Sequence, residues 1–429
     1  MMLNIEVESE VLLGEIALII DCEHKTAPAT KSNVFAYSVG TRALSENYID
    51  IQACKPVDED TYKVWSKRAE VEIGDIIFAR EAPVGGVGLV KALFPRFCLG
   101  QRTVLIKPDR EVINPLYLNY LLQNREIQNW FVDMSMGSTV LHINVADIKK
   151  LPLRYLPSLA MQSCIAEVLH NIDLKIEGNA STAKLLEDTA QTIFKSWFID
   201  FDPVKAKIAG EMPAGMDGAT AALFPNSMEE SELGLIPKGW VVSNLDSVSS
   251  VKYGAPFSSK LFNTKKIGLP LIRIRDLKKQ SISTWSPENH PKGFLVAGGE
   301  LLVGMDGEFN PTIWFGENAL VNQRICKVEP KNFVSNFFLY FTLLPIMRRI
   351  EHGSTGSTVI HLGKTDIDAI KLSVPSQKIL AEFKSLVEPL LQQMVCLNIQ
   401  SRILQEARDS LLPRLISGEL QIPVEMLAS

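Results

Sequence analysis

The sequence predicts an α+β protein. Two similar mixed α/β domains are expected, separated by two long helices paired as an antiparallel coiled coil. An internal repeat is the first observation behind this. Gly137-Ser138-Thr139-Val140-Leu141-His142 returns as Gly356-Ser357-Thr358-Val359-Ile360-His361, a shift of 219 (356 − 137). Neighbours return in step: Gln101-Arg102 as Gln323-Arg324, Gly74-Asp75-Ile76-Ile77 as Gly299-Glu300-Leu301-Leu302, and Asp147-Ile148 as Asp366-Ile367. Solenoid repeats run to about 20–50 residues, so this longer period is a duplicated domain. The second observation is a heptad stripe that follows each copy.

Residues 1–155 form the first copy. Val71 to Phe78 half-alternates, Pro83, Gly85, Gly86 and Gly88 punctuate, and Cys98 to Lys107 reads as another strand-like run. Asn114-Pro115 opens a helix expected to reach Trp130, with Leu116, Tyr120 and Leu121 on one face.

Residues 156–202 change character. Ile165, Leu169, Ile172, Ile176, Asn179, Ala183, Leu186, Ala190, Ile193 and Trp197 alternate in steps of 4 and 3, a heptad seam with one polar member. A buried Asn in such a seam fixes register at some cost in stability. Gly178 beside it weakens the helix by roughly 1 kcal/mol relative to Ala. Residues 203–234 are expected to be a linker, because Pro203, Gly210, Pro213, Gly215, Gly218, Pro225 and Gly234 interrupt regular structure.

The second copy occupies 235–375 and opens near Leu235-Ile236-Pro237-Lys238-Gly239-Trp240. Residues 376–420 carry a cleaner seam: Leu380, Phe383, Val387, Leu390, Met394, Leu397, Ser401, Leu404, Arg408, Leu411 and Leu415. Pro389 is expected to bend this helix and Gly418 to cap it, with 421–429 as a tail. Each stripe is narrow and needs a partner. The other helix is the simplest one, in an antiparallel spacer that holds the two domains apart at a fixed distance.

Composition bounds the function. The chain has 429 residues, net charge −5, and hydrophobic and charged fractions of 46% and 22%, ordinary for a soluble protein. No apolar run is long enough to span a membrane, and the acidic start lacks a basic signal-peptide region, so a cytoplasmic location is expected. The six cysteines (22, 54, 98, 164, 326, 396) show no C-x-x-C pair and read as reduced thiols. Charge is uneven. Residues 235–375 hold 17 Lys+Arg against 11 Asp+Glu, whereas 1–155 hold 17 against 20 and 156–234 hold 5 against 12. Such a chain is not a strong nonspecific DNA binder by itself.

No phosphate-binding loop, amino-methyltransferase string, H-E-x-x-H helix or histidine ligand spacing appears. No catalytic residue and no metal site are therefore expected. The recurring polar residues are the candidates. Ser138, Thr139, Ser357 and Thr358 either form a turn feeding a helix N-cap, with Asn144 and Asp147 closing a capping-box-like start in copy one, or contact phosphate. His142 and His361 read as structural rather than catalytic, and as candidate DNA contacts. Gln101-Arg102 and Gln323-Arg324 are either braces or base readers, since Arg to guanine and Gln to adenine are common major-groove pairings. Residues that differ between the copies would read different sequences: Lys25, Arg42, Lys67 and Arg80 in copy one, Tyr253, Lys260, Arg273 and Arg275 in copy two. For each of these, a solvated surface residue is the competing reading.

The chain resembles a type I restriction–modification specificity subunit. Gln162 to Leu169, Ile172-Asp173, Lys175 to Glu177, and Ile193-Phe194-Lys195-Ser196-Trp197-Phe198-Ile199-Asp200-Phe201 are similar to that family's central conserved region. Arg408 to Leu420 resembles its distal conserved region, and Ile236 to Trp240 with Pro256 to Lys260 the opening of its second recognition domain. Ala160-Met161-Gln162 departs from the Glu-Gln of many members.

The resemblance implies a non-catalytic reader of double-stranded DNA. Each target recognition domain would read half of a bipartite, asymmetric site. Two modification subunits would bind through a surface including Phe194, Trp197, Phe198, Phe201, Leu412 and Arg414, joined in some systems by two ATP-dependent restriction subunits. S-adenosylmethionine, ATP and Mg would belong to those partners, none to this chain. The alternative reading is a DNA-binding enzyme, a methyltransferase or nuclease with an unrecognised motif.

Overall fold

The computed structural model describes residues 11–45, 48–137, 140–353 and 361–422. The chain divides into two compact units, and the breaks fall inside both long helices, between Leu174 and Lys175 and between Ile403 and Leu404.

In the first unit, strands Ala17–Asp21, Thr103–Pro108, Ile76–Ala79 and Val87–Leu89 lie side by side in that order, all antiparallel. A second sheet places Ala36–Val39 antiparallel to Lys55–Val57 and parallel to Phe97–Leu99. In the second unit, Ser249–Tyr253, Ile325–Pro330, Leu301–Gly304 and Pro311–Ile313 repeat the first order. Leu269–Ile272, antiparallel to Trp285–Ser286 and parallel to Ala319–Val321, repeats the second. The duplication read in the sequence is thus a duplication of topology. Ile76–Ala79 and Leu301–Gly304 are buried on both faces, which explains why neither strand alternates cleanly in sequence.

The Cys98–Lys107 run is two strands in different sheets, not one. Gly100 and Arg102 intervene. A Cβ at Gly100 would lie 2.5 Å from the Val39 carbonyl oxygen, and Arg102 takes a left-handed φ of 71°. Likewise the helix begun at Pro115 stops at Leu121. A second helix, Arg125–Asp133, starts behind the Asn124 side chain, which accepts from Glu126 N. Copy two keeps one helix here, Asn336–Gly353, with Pro345 inside it.

The long helices are Leu159–Phe198 and Gln377–Ile416. Pro389 does not interrupt the second. It ends at a Gly418 with φ 76°, and Leu420 N donates to the Arg414 carbonyl at 2.9 Å, which satisfies a terminal carbonyl. Every residue of both predicted seams is buried or half-buried. Within the second unit, Ala190, Phe194, Trp197 and Phe198 share a core with Phe383, Val387, Leu391 and Met394. Within the first, Ile165, Ala166 and Leu169 share one with Leu415 and Ile416. Early residues of one helix meet late residues of the other in both units, so the pairing is antiparallel.

The 203–234 segment is not a structureless linker. It holds helices Asp202–Ile208 and Gly218–Leu223 and a strand pair, Met228–Ser231 with Gly234–Pro237. Its prolines and glycines sit at starts and turns: Pro203 in the first helical turn, where no N–H is missed, and Gly234 at φ 92°. Among the described residues, no helix is long and apolar enough to cross a membrane.

Candidate nucleic-acid interface

Three recurring pieces of sequence converge in each unit. In copy one, the Ile76–Ala79 strand continues to Glu81, where His142 pairs with it as a single antiparallel bridge. Ile143 N donates to the Arg80 carbonyl, and Arg80 N donates to the Arg102 carbonyl. The turn bearing Gln101-Arg102 is thereby held beside His142 and Ile143. Arg102 Nε lies 3.1 Å from Glu81 Oε2, with the Arg side chain 50% exposed and the Glu 23%.

Copy two repeats this arrangement. His361 bridges Asp306, Leu362 N donates to the Met305 carbonyl, and Met305 N donates to the Arg324 carbonyl. Arg324 Nε lies 3.1 Å from Asp306 Oδ2, with side chains 55% and 21% exposed. His361 Nδ1 lies 2.5 Å from Asp306 Oδ1. A half-buried carboxylate therefore orients an exposed guanidinium in both copies, beside a histidine. Glu81 and Asp306 escaped the sequence reading because Glu has become Asp. Their shift of 225 (306 − 81) is nevertheless the one that relates Gly74 to Gly299.

The other candidates fall into three groups. Ser138, Thr139, Ser357 and Thr358 lie outside the described residues. Lys25, Arg42, Lys67, Gln101, Lys260, Arg275 and Gln323 are exposed. Gln101 accepts from Thr26 Oγ1 at 2.8 Å, on the loop that carries Lys25. Tyr253 and Arg273 are half-buried. Burial pushes the Tyr253 hydroxyl above its ordinary pKa, and the Arg273 guanidinium stacks 5.7 Å from the Phe262 ring centre.

Several expectations need correction. Arg80 is a brace rather than a reader. Its side chain is 15% exposed, 2.6 Å from Asp21 Oδ1, and its Nε donates to the Ile143 carbonyl at 3.0 Å. Phe194, Trp197 and Phe198 do not present an aromatic docking surface. They are 4%, 6% and 8% exposed, and Phe198 packs 5.0 Å from Phe383 and 5.1 Å from Phe338. Their apolar area is already spent inside the unit. Phe201, half-buried and left-handed at φ 56°, packs edge-on to Trp240. Leu412 is likewise half-buried, and Arg414 is exposed and 3.2 Å from Glu419. The capping box at Asn144 does not form, because its side chain makes no cap bond. In copy two, Gly363 N does donate to Asp366 Oδ2 at 2.8 Å.

Among the described residues, one group could gather ligand atoms around a cation: Asp21, Cys22 and His24. Asp21 already takes the Arg80 guanidinium, whose positive charge opposes a second cation there.

Comparison with known proteins gives the family. The model of the type I restriction modification DNA specificity domain matches residues 13–187 and again 237–393, one match per copy. The MjaIX specificity subunit of Methanocaldococcus jannaschii is 27% identical over 384 residues, 86% of this chain and 81% of that protein. The HindI specificity subunit of Haemophilus influenzae is 25% identical, covering 82% and 87% of the two chains. The EcoBI specificity subunit of Escherichia coli is 36% identical over 190 residues, 43% of this chain and 40% of its own. In fold, the chain is similar to the crystal structure of a type I S subunit from M. genitalium, with a TM-score of 0.53 at 15% identity, covering 97% and 98%. With two family matches spanning most of its length and one topology built twice, the chain belongs to the type I restriction–modification DNA specificity family.

Proposed function

We propose that this chain reads a bipartite, asymmetric DNA site, one α/β domain per half, and that its paired helices set the gap between the halves. The observation that carries the reading is that two domains of one topology hold the same arginine–carboxylate pair, on a strand continuation bridged through the backbone to a histidine, while the surroundings differ. Copy one connects Val90 to Phe97 through Lys91–Arg96, with Leu93 and Phe94 60% and 69% exposed. Copy two makes the matching connection, from Trp314 to Ala319, with only Phe315–Asn318. A shared scaffold with divergent loops suits two readers of unlike sequences.

The chain acts without a catalytic residue of its own. Two modification subunits bind it and supply S-adenosylmethionine chemistry, and two restriction subunits with ATP and Mg join where the system has them. With a net charge of −5, the chain leans on those partners for part of its phosphate contact.

The test replaces residues 1–155 with the matching domain of a relative and maps methylated adenines in cells that carry the modification subunit. One half of the methylated sequence should change and the other persist. A change in both halves, or in neither, would contradict the assignment of one domain to one half.

A further inference from the structure

Glu81 with Arg102 and Asp306 with Arg324 are the same device in two domains that otherwise diverge. A residue pair that is the same in both copies cannot encode the difference between two unlike half-sites. It can serve what the halves have in common, and the feature shared by every stretch of duplex is its phosphate backbone. We propose that Arg102 and Arg324 are phosphate clamps, and that Glu81 and Asp306 are positioning residues that aim them. The proposal rests on the DNA-reading function above and assigns its sequence-independent part to these four side chains.

The geometry fits this role. Each guanidinium has its Nε on a carboxylate 3.1 Å away, while the arginine side chain stays half-exposed. A guanidinium carries five N–H donors, so an Nε contact leaves others to take a phosphate oxygen. Holding the fork in place beforehand reduces the side-chain entropy lost on binding. The carboxylates are the more buried partners at 23% and 21%, as expected of a support beneath a contact. Backbone pairing fixes the support: Glu81 to His142, and Asp306 to His361. Glu and Asp exchange at this position between the copies, so what recurs is a carboxylate within reach of Nε. The exposed cations that do not recur, Lys25 and Lys67 in copy one and Lys260 and Arg275 in copy two, are left to distinguish the halves.

The experiment uses the full chain assembled with its modification subunit. Methylated adenines first define the wild-type site. An assembly that modifies no two-part sequence would defeat the DNA-reading function itself, before any variant is compared. Binding is then measured against salt on three duplexes: the intact site, and sites with either half scrambled. Arg102→Ala and Arg324→Ala should each weaken binding on the order of tenfold on all three, and lower the salt slope by about 0.9. The methylated sequence should be unchanged. Arg102→Lys should recover most of the affinity, because a phosphate accepts a point charge where a base edge needs the fork. Glu81→Gln should reproduce part of the arginine loss and Glu81→Asp should restore it, with melting temperature checked throughout. Three results would each overturn the proposal: relaxed specificity at one base position, a loss confined to the intact site, or wild-type binding by folded Arg102→Ala and Arg324→Ala.

Discussion

Asn179 donates its side-chain amide to Ser401 Oγ at 3.3 Å. It also reaches the Leu397 carbonyl at 3.4 Å and Gln400 Oε1 at 3.5 Å. The polar position of one seam thus finds a polar position of the other, at 2% exposure. All three neighbours accept hydrogen bonds. Asn179→Asp replaces the donor with a charge facing acceptors, and should cost about 3 kcal/mol. Asn179→Leu should preserve or raise thermal stability while loosening register. Thermal melts of both variants check this, and an Asp variant as stable as wild type would remove the amide from the account.

Arg408, the other polar member of the distal seam, lies 2.9 Å from Asp173 Oδ1, with side chains 16% and 9% exposed. Tyr120 Oη donates to the other carboxylate oxygen at 2.5 Å. Breaking a buried pair strands a charge, at about 3–5 kcal/mol, whereas replacing both partners is often neutral. Arg408→Met alone should therefore lower the denaturation midpoint sharply. The double variant Arg408→Met with Asp173→Leu should recover most of it. Additive losses in the double variant would show that the two side chains do not act as a coupled pair.

Phe198 tests whether the aromatic run after the central seam is core or docking surface. It lies against Phe338 and Phe383, so Phe198→Ala should cost about 3–5 kcal/mol by opening a cavity. A docking residue would leave stability within about 0.5 kcal/mol. Denaturant unfolding of the purified chain separates the two.

Burial pushes the Cys54, Cys98 and Cys326 thiols up to about 12. The thiolate is the reactive form, so these three should resist alkylation in the folded chain at pH 8. The exposed Cys396 should react first. Mass spectrometry after brief iodoacetamide treatment reads the order, and early labelling of Cys326 would contradict its burial.

Inserting one heptad in each long helix adds seven residues at 1.5 Å, about 10.5 Å. With base pairs about 3.4 Å apart, the halves of the methylated site should separate by roughly three base pairs. Three base pairs also rotate the duplex, so modification should slow. An unchanged gap in a stably folded insertion variant would show that the helices are not the ruler.

The sequence by itself determined the architecture of this protein. A repeat whose pieces return in order at shifts of 219 (356 − 137) to 225 (299 − 74) reads as a duplicated domain, and two stripes at heptad spacing need a partner of similar length to be buried against. All their members are covered, because periodicity is a local property that survives without knowledge of the partner. Gln101-Arg102, Gln323-Arg324, His142 and His361 are legible as candidates for the same reason: identical residues recurring in the same order need no structure. Only the tertiary structure decided what each side chain faces. It turned Arg80 inward to Asp21, buried Phe194, Trp197 and Phe198 beneath copy two, and gave the 203–234 segment two helices, one with Pro203 in its first turn. It also revealed Glu81 and Asp306. A carboxylate becomes a support only when a strand continuation and a turn, far apart in the chain, bring it beside an arginine. Those contacts are long-range, and composition and periodicity carry no record of them.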